Sequence, residues 1–458
     1  MKRLCHILLL IISFQIGNVA NINARPGVDT STPSRVLHLN KKPGVGVWQL
    51  LNGGGMYRQG DSYLTLSSGI GDLIGLNAVD GVSVGPHFVA GKVLSDGARF
   101  EVEPLVRYSL ARNKLLGYAK VRYYFPLQTS SMIELLGGRY SADFDSESMM
   151  SNDHAELAGA LFGWNHQKYY DLAHFGFNIT TPLSDDLQTH FGWQWQRRSR
   201  LDNHQNRTLF GHIYQDNLPR NYRHPIDSWM TDSVLNFPTQ KLWLWKLRLD
   251  YRHDARLLIA DDMTSELRSR YPTFSLSFDA ATSPGKKDVH FWRYGKVELA
   301  IRQSVEYEYS RWQYFAGIGT FISPRDVMLV DYKHFDAADY VWQERNTLTW
   351  FALLSNYQFS TDRRWVELHG EWMSSRMLLS RLFNHGESRL VFRPAWTEYL
   401  QWHALQVPHA RFYSEIAYGW DFWRAMRIGV VCGFKAMQYD GIALQVVLDL
   451  KNMAAMSR

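Results

Sequence analysis

The sequence predicts an all-β chain of one kind, a transmembrane antiparallel outer-membrane β-barrel. Three observations carry that reading: runs of strict apolar–polar alternation up to a dozen residues long, an apolar leader, and aromatic residues gathered at strand ends. Of the 458 residues, 45% are hydrophobic and 21% charged, a balance that excludes both a disordered chain and a helical membrane protein. Aromatic side chains make up 14%, with 17 Trp and 24 Tyr. Such side chains gather where an apolar body meets a wet boundary.

The start, "MKRLCHILLLIISFQIGNVANINARPG", reads as a secretory signal over 1–24. Lys2 and Arg3 give the positive end, Ile7 to Phe14 the apolar core, and Ala20 or Ala24 the small residue at the cut. Residues 25–45 are polar and Pro-rich and read as a periplasmic linker, leaving 46–458 for the barrel. Cys5 lies in the leader, so the mature chain keeps Cys432 alone and has no internal disulfide. A formal charge of +6 suits contact with anionic lipid. No basic run is dense enough for nucleic acid, which is not an expected partner.

The elements follow from period two, the strand signal. Phe100, Val102, Pro104, Val106, Tyr108 and Leu110 share a face opposite Arg99, Glu101, Glu103 and Arg107. Phe191, Trp193 and Trp195 oppose His190, Gln194, Gln196 and Arg198. Trp243, Trp245, Leu247, Leu249 and Tyr251 oppose Lys246, Arg248, Asp250 and Arg252. Val297, Leu299, Ile301 and Val305 oppose Lys296, Glu298, Arg302 and Glu306. Leu444, Val446, Leu448 and Leu450 oppose Gln445 and Asp449. Strands of a soluble sandwich usually run about five or six residues. A twelve-residue strand covers roughly 40 Å, and tilted by about 40° it spans the ~30 Å of a bilayer core.

In order, strands are expected near 56–66, 81–92, 97–110, 114–125, 131–142, 168–180, 186–199, 241–254, 273–280, 290–306, 309–320, 345–359, 364–376, 409–419, 423–435 and 441–450, with further candidates at 154–164 and 389–405. Tight connections such as 111–113 and 360–363 alternate with long ones, notably 200–240 and 321–344, which are expected outside the cell. Dropping 389–405 as a crossing keeps the chain's end periplasmic, and an even count of roughly 12–16 strands, with 16 favoured, follows from the barrel rule.

The apolar parity is expected to face lipid, with Trp193, Trp195, Trp243, Trp245 and Tyr251 as membrane-interface aromatics. The lumen-facing residues are then Glu101, Glu103, Arg107, Lys246, Arg248, Asp250, Glu298, Arg302, Glu367, His369 and Glu371.

From about residue 270 the segments "SRYPTFSLSF", "WRYGKVELAIRQSV", "YFAGIGTFISPRDV", "FDAADYVWQERNTLTWFALLSNYQFSTDRRWVELHGEWM" and "LLSRL" come in sequence. "NAVDGVSVGPHF" and "GARFEVEPLVRYSLARNKLLGYAKVRYYF" precede them. This order resembles the barrel portion of an uncharacterised outer-membrane family of Bacteroidetes, over roughly residues 45–450. Longer members of that family carry a carboxypeptidase-regulatory-like domain ahead of the barrel. The resemblance implies likeness to the sixteen-stranded assembly-factor and surface-antigen barrels. Here about twenty residues separate leader and barrel, and the chain closes on "LDLKNMAAMSR" where the family has an aromatic last residue.

Catalytic and metal chemistry is not expected, nor is a cofactor. His204, His212, His224 and Asp216 fall in one loop without ligand spacing and read as a solvated surface. The Asn-x-Thr match at Asn206 reads as chance, and "SGIGDLIG" at 68–75 as a glycine-rich bend. Glu367, His369 and Glu371 share one parity and read as interstrand charge pairs in a polar lumen, not an acid–base site. The expected function is a passage or assembly/translocation barrel with a mixed-charge lumen. The alternative is a closed structural or adhesive barrel that presents long loops. Expected partners are outer-membrane lipid and a periplasmic partner protein.

Overall fold

A computed structural model of the chain describes residues 55–448, apart from 67–72, 127–130, 146–158, 166, 209, 218–236, 255, 261–263, 269–270, 285–290, 325–326, 338–341, 344–347, 355, 358, 384–385, 399–411 and 423–425. The expected leader at 1–24 and linker at 25–45 lie outside the described residues, as do His224 and most of the bend at 68–75.

The described chain is all-β and antiparallel. Five short strands come first: β1 (Gly55–Gln59), β2 (Ser62–Leu66), β3 (Ile74–Asn77), β4 (Gly81–Val84) and β5 (Val89–Val93). Then come β6 (Arg99–Ser109), β7 (Lys114–Tyr124), β8 (Met132–Asp143), β9 (Tyr169–Pro182), β10 (Leu187–Ser199) and β11 (Gln240–Arg252). A separate hairpin, β12 (Arg256–Ala260) and β13 (Thr264–Arg268), precedes β14 (Thr273–Thr282), β15 (Trp292–Glu306) and β16 (Ser310–Ile322). The two-residue β17 (Trp342–Gln343) comes before β18 (Arg364–Ser374) and a short helix α1 (Leu378–Phe383). β19 (Glu387–Thr397), β20 (Phe412–Phe422), β21 (Met426–Lys435) and β22 (Gln438–Leu448) finish the sheet.

Each long strand pairs with its sequence neighbour from β6 to β22, with β12–β13 and β17 bypassed. β4 and β5 both pair with β6 and form one path broken at Gly85. There φ is 154°, and a Cβ would stand 2.0 Å from the Val106 carbonyl oxygen, so glycine permits the bulge. β1 and β22, the ends of the ladder, are not paired with each other among the described residues. Among the described residues no helix is long and apolar enough to cross a membrane.

The two faces differ in kind. One carries Phe100, Leu135, Phe175, Leu247, Leu276, Leu299, Ile318, Leu368, Phe392, Ile416, Val430 and Leu444, all exposed large apolar side chains on successive strands. The other buries Glu101, Glu103, Arg198, Asp250, Glu367, His369, Glu371, Arg393 and Glu415. This is the reverse of a soluble protein, in which the charged face is the wet one.

Five sequence expectations are corrected. The run 56–66 is a hairpin, β1–β2, turning at Gly60 with φ 60°. The described part of 154–164 includes a helical turn at 159–162 and no strand. Residues 387–397 do cross, as β19, paired on both sides. Residues 345–359 are not a crossing strand, because β16 pairs directly with β18. Losing one crossing and gaining another leaves β22 ending beside the short turns at 183–186 and 307–309.

The fifth correction concerns 321–344, expected as an external loop. The connection from β16 to β18 instead packs over the charged face. Phe335, Ala337, Phe351, Leu354 and Phe359 lie against Leu244, Ala281, Tyr294, Trp365, Ala395 and Tyr413. Met328, Leu329 and Tyr357 lie against Phe144, Tyr170 and Leu172. β17 reaches β22. A single segment touches strands from β8 round to β22 only from the concave side of a curled sheet, so the charged face is the inner one.

Leu299 stands midway along β15 on the apolar face, 51% exposed. In the chain refolded into phospholipid vesicles, Leu299→Arg is expected to cost roughly 2–4 kcal/mol by denaturant titration. A cost below about 0.5 kcal/mol, the usual effect at a soluble surface, would refute a lipid environment for this face.

Candidate functional site

The inner face and the described residues of the segment 327–363 seated on it form the candidate site. The segment is held at four points. Asp331, at the end of a 3-10 turn (Leu329–Asp331), accepts from Arg198 Nη1 at 2.7 Å and from Tyr294 Oη at 2.8 Å. Lys333 Nζ lies 2.9 Å from Glu367 and 3.3 Å from Glu298. Tyr357 Oη donates to Asp143 at 2.7 Å and accepts from the Lys168 amide at 3.1 Å. Glu415 accepts the amides of Ala352 and Leu353, both at 2.7 Å, and the Tyr413 hydroxyl at 2.8 Å. Arg393 stands 3.7 Å from Glu415 and donates to the Leu348 carbonyl at 3.1 Å.

Local sequence explains the seat. On β16 the inner parity carries Gly317 and Gly319, and a Cβ at Gly319 would stand 2.0 Å from the Trp365 ring. That missing side chain lets Trp365 lie flat against the wall, where it is fully buried beside Phe321 and within 5.9 Å of Lys333 Nζ.

The residues singled out from sequence fall into groups. Glu101 and Glu103 share Arg122, at 3.8 and 2.7 Å, which also donates to Glu134 at 2.7 Å. Tyr63 Oη donates to Glu101 at 2.5 Å, while Lys120 and His87 approach Glu103 at 3.4 and 3.3 Å. Arg107 Nη1 stands where a Cβ on Gly75 would fall, 2.5 Å away. Asp250 accepts from Arg248 at 2.9 Å and Ser275 at 2.5 Å, and His190 lies 3.3 Å from it. Lys246 stands opposite Asp279, which binds Lys296 at 3.1 Å. Arg302 stands opposite Phe315 on β16.

Glu367, His369 and Glu371 do not form one constellation. His369 Nε2 meets Glu367 at 3.1 Å under the Phe351 ring and is fully buried. Glu371 pairs instead with Arg389 at 2.6 Å, and Arg389 and Arg427 both bind Asp421 at 2.5 Å. The aromatics Trp193, Trp195, Trp243, Trp245 and Tyr251 lie on the apolar face. Trp193 stands opposite Trp245 and Trp195 opposite Trp243, with Phe175 against both Trp193 and Trp195.

Sequence reasoning missed Asp331, Lys333, Arg393 and Glu415, the residues that hold the segment. Arg389 and Arg393 alternate with exposed Leu390 and Phe392, a period-two signal that was present. Nothing local marks Asp331 or Lys333 as inner-face residues. In the 200–217 loop, the His204 amide bonds the Ala78 carbonyl at 3.1 Å and the Asp216 carbonyl accepts from Lys168 Nζ at 2.9 Å. Among the described residues no group of three or more His, Cys, Asp or Glu is placed to hold a metal.

The model of the Family of unknown function (DUF5686) C-terminal domain matches residues 48–420. The chain belongs to this family. No curated protein matches the DUF5686 chain. Among solved structures it is similar to BamA from Haemophilus ducreyi lacking POTRA domains 1–3, at 11% identity and TM-score 0.39, covering 81% of this chain and 68% of that one. CdiB from Acinetobacter baumannii shares 9% identity at TM-score 0.36, covering 84% of this chain and 55% of that one. A mutant porin from Rh. blastica shares 10% at TM-score 0.31, covering 80% and 90%.

Two outcomes follow for the DUF5686 seat. Glu415→Ala strips the Ala352 and Leu353 amides of their acceptor and leaves Arg393 buried without its carboxylate. It is expected to cost roughly 3–5 kcal/mol and to expose 348–357 to protease; unchanged protease resistance would disprove the anchoring role. The second outcome concerns Asp336, which accepts from Thr349 Oγ1 at 2.8 Å. Burial, with Asp145 and Glu367 adding to it, pushes its carboxyl up to about 7 against the opposing Thr349 and Lys333. A carboxyl raised in the folded state contributes stability below its usual range and loses it as pH rises through the raised value. Protease sensitivity of 348–357 should therefore grow between about pH 5 and 8, and Asp336→Asn should flatten the profile. A profile that Asp336→Asn leaves unchanged would assign the sensitivity to another group.

Proposed function

We propose that the chain is an integral outer-membrane β-barrel with a passage or assembly/translocation role, whose lumen is stoppered by its own segment 327–363. One observation carries this: apolar side chains on the outer face of nearly every strand, with buried charges and a seated segment on the inner face. A closed barrel leaves no edge in lipid, so every backbone group is paired. In this reading β2 with β3, and β4 with β5, each make one crossing, and β1, β12, β13 and β17 make none, which gives sixteen. The connections at 200–239, and the start and finish of the seated segment, lie at the extracellular end. The turns at 183–186 and 307–309 face the periplasm, where a partner protein would dock.

The chain has no catalytic role in this reading. The Glu367–His369 pair, buried beneath Phe351 and Lys333, supports the segment and is closed to substrate. The mixed signs of the inner face suit a gated passage better than a strongly ion-selective pore.

The test is conductance of the refolded mature protein in a planar bilayer, with heat-modifiable gel migration as the check on folding. The wild-type barrel is expected to be silent or to open briefly. Asp331→Asn combined with Lys333→Ala, which loosens two anchor points, is expected to give larger and longer openings. A folded variant that stays silent would overturn the passage reading and leave the closed structural or adhesive barrel. Steady large steps in the wild type would overturn the stopper.

A further inference from the structure

The connection between β18 and β19 carries α1, and its hydrogen bonds fix where that helix lies. The Ser380 amide and hydroxyl meet Ser388 Oγ at 3.1 and 2.7 Å, and the Leu379 amide donates to Tyr418 Oη at 3.4 Å. Ser388 shares the parity of Leu390 and Phe392, and Tyr418 that of Ile416; all three apolar residues are exposed on the outer face. The helix is therefore folded back over the outer, apolar side of the wall, at the short-turn end. Leu378 and Leu382, one turn apart, are 72% and 69% exposed and face away from the strands that hold the helix. Beside them Arg376 lies 3.6 Å above the ring of Tyr309, whose carbonyl accepts from Ser374 Oγ and the Ser375 amide. Arg381 is exposed on the same short helix.

We propose that this turn is an interfacial anchor for phospholipid. Leu378 and Leu382 enter the acyl boundary of the leaflet at the short-turn end, and Arg376 and Arg381 take the phosphate groups. The inference rests on the membrane reading of the outer face and adds a site to it. Two arguments choose lipid as the occupant. The patch is continuous with the outer apolar face, through the stacked Trp312–Trp372 pair at 5.3 Å on the same end of β16 and β18. Leucines flanked by arginines, with aromatic rings at one level, also match the charge and depth of a headgroup boundary. Stacking on Tyr309 holds the Arg376 guanidinium in place, so less side-chain freedom is lost when a phosphate binds.

The test uses the full mature chain refolded into vesicles of phosphatidylethanolamine and phosphatidylglycerol. In a Cys432→Ser background, a single cysteine replaces Leu382 or, as a mid-wall reference, Leu368, and carries an environment-sensitive fluorophore. The expected result at 382 is a blue-shifted emission, loss of quenching by aqueous iodide, and stronger quenching by headgroup-level than by mid-chain spin-labelled lipid. At 368 the mid-chain label should quench more. Arg376→Gln with Arg381→Gln should lessen the shift at 382 and leave 368 unchanged. Iodide quenching at 382 with lipid quenching at 368 would overturn the anchor and leave the barrel in the membrane. Iodide quenching at both positions would overturn the membrane reading itself.

Discussion

Everything in this chain depends on the inversion that lipid imposes on a β-sheet. A wall that pairs all its backbone groups and turns apolar side chains outward must send its other parity inward. Here that parity is charged, and charges withdrawn from water need partners. Neighbouring strands supply some of them, as Arg122 does for Glu101, Glu103 and Glu134, and Asp421 for Arg389 and Arg427. Where the wall runs short of partners, the segment 327–363 completes it. Asp331 answers Arg198, Lys333 answers Glu298 and Glu367, and two backbone amides answer Glu415.

The apolar and ionic parts of this seat do different work. Burying a ring such as Phe335, Phe351 or Phe359 contributes about 1.5–3 kcal/mol each, and those rings supply most of the attraction. Buried ion pairs return little net stability, because desolvation offsets their Coulomb gain. They punish misplacement instead: a segment shifted by one residue would leave Arg198 buried without its carboxylate, or Glu415 without the two amides. Backbone pairing between segment and strand ladder is slight: among the described residues it is the two-residue β17 on β22 and, at the segment's finish, the Phe321 amide on the Arg363 carbonyl at 3.0 Å. The antiparallel ladder from β6 to β22 therefore depends little on the segment for its backbone bonds.

Which parts of this were legible in the sequence follows from the same physics. Period two was readable because one face meets lipid and tolerates no charge, so Trp243 to Tyr251 and Lys246 to Asp250 separate cleanly. The seated segment was not readable by that rule. Trp350, Phe351, Leu354, Tyr357 and Phe359 form an apolar run because they meet a protein wall, and an apolar run of that length passes for a strand. Counting 345–359 as a crossing then forced 389–405 out to preserve the even number. The regular alternation of Arg389 and Arg393 with Leu390 and Phe392 had argued the other way. Glu367, His369 and Glu371 share one parity, yet their separate partners, Lys333 and Arg389, come from different elements and leave no local mark.

The inner face also sorts its charges by reach. Carboxylates on short side chains are held against the wall: Asp250 and Glu371 show 1% of their side chains to water and Glu101 3%. Two of the longer basic partners extend past them, Lys120 showing 32% and Arg248 35%, whereas Arg198, Arg393 and Arg427 show 4%, 2% and 8%. Arg248 and Arg302 lie in the half of the wall nearer the short turns, away from the seated segment's ionic anchors at Asp331 and Glu415. The acids and the buried arginines thus fix the wall and the segment, while Lys120 and Arg248 keep part of their length in water. An anionic group drawn to those bases would compete with the carboxylates that neutralise them.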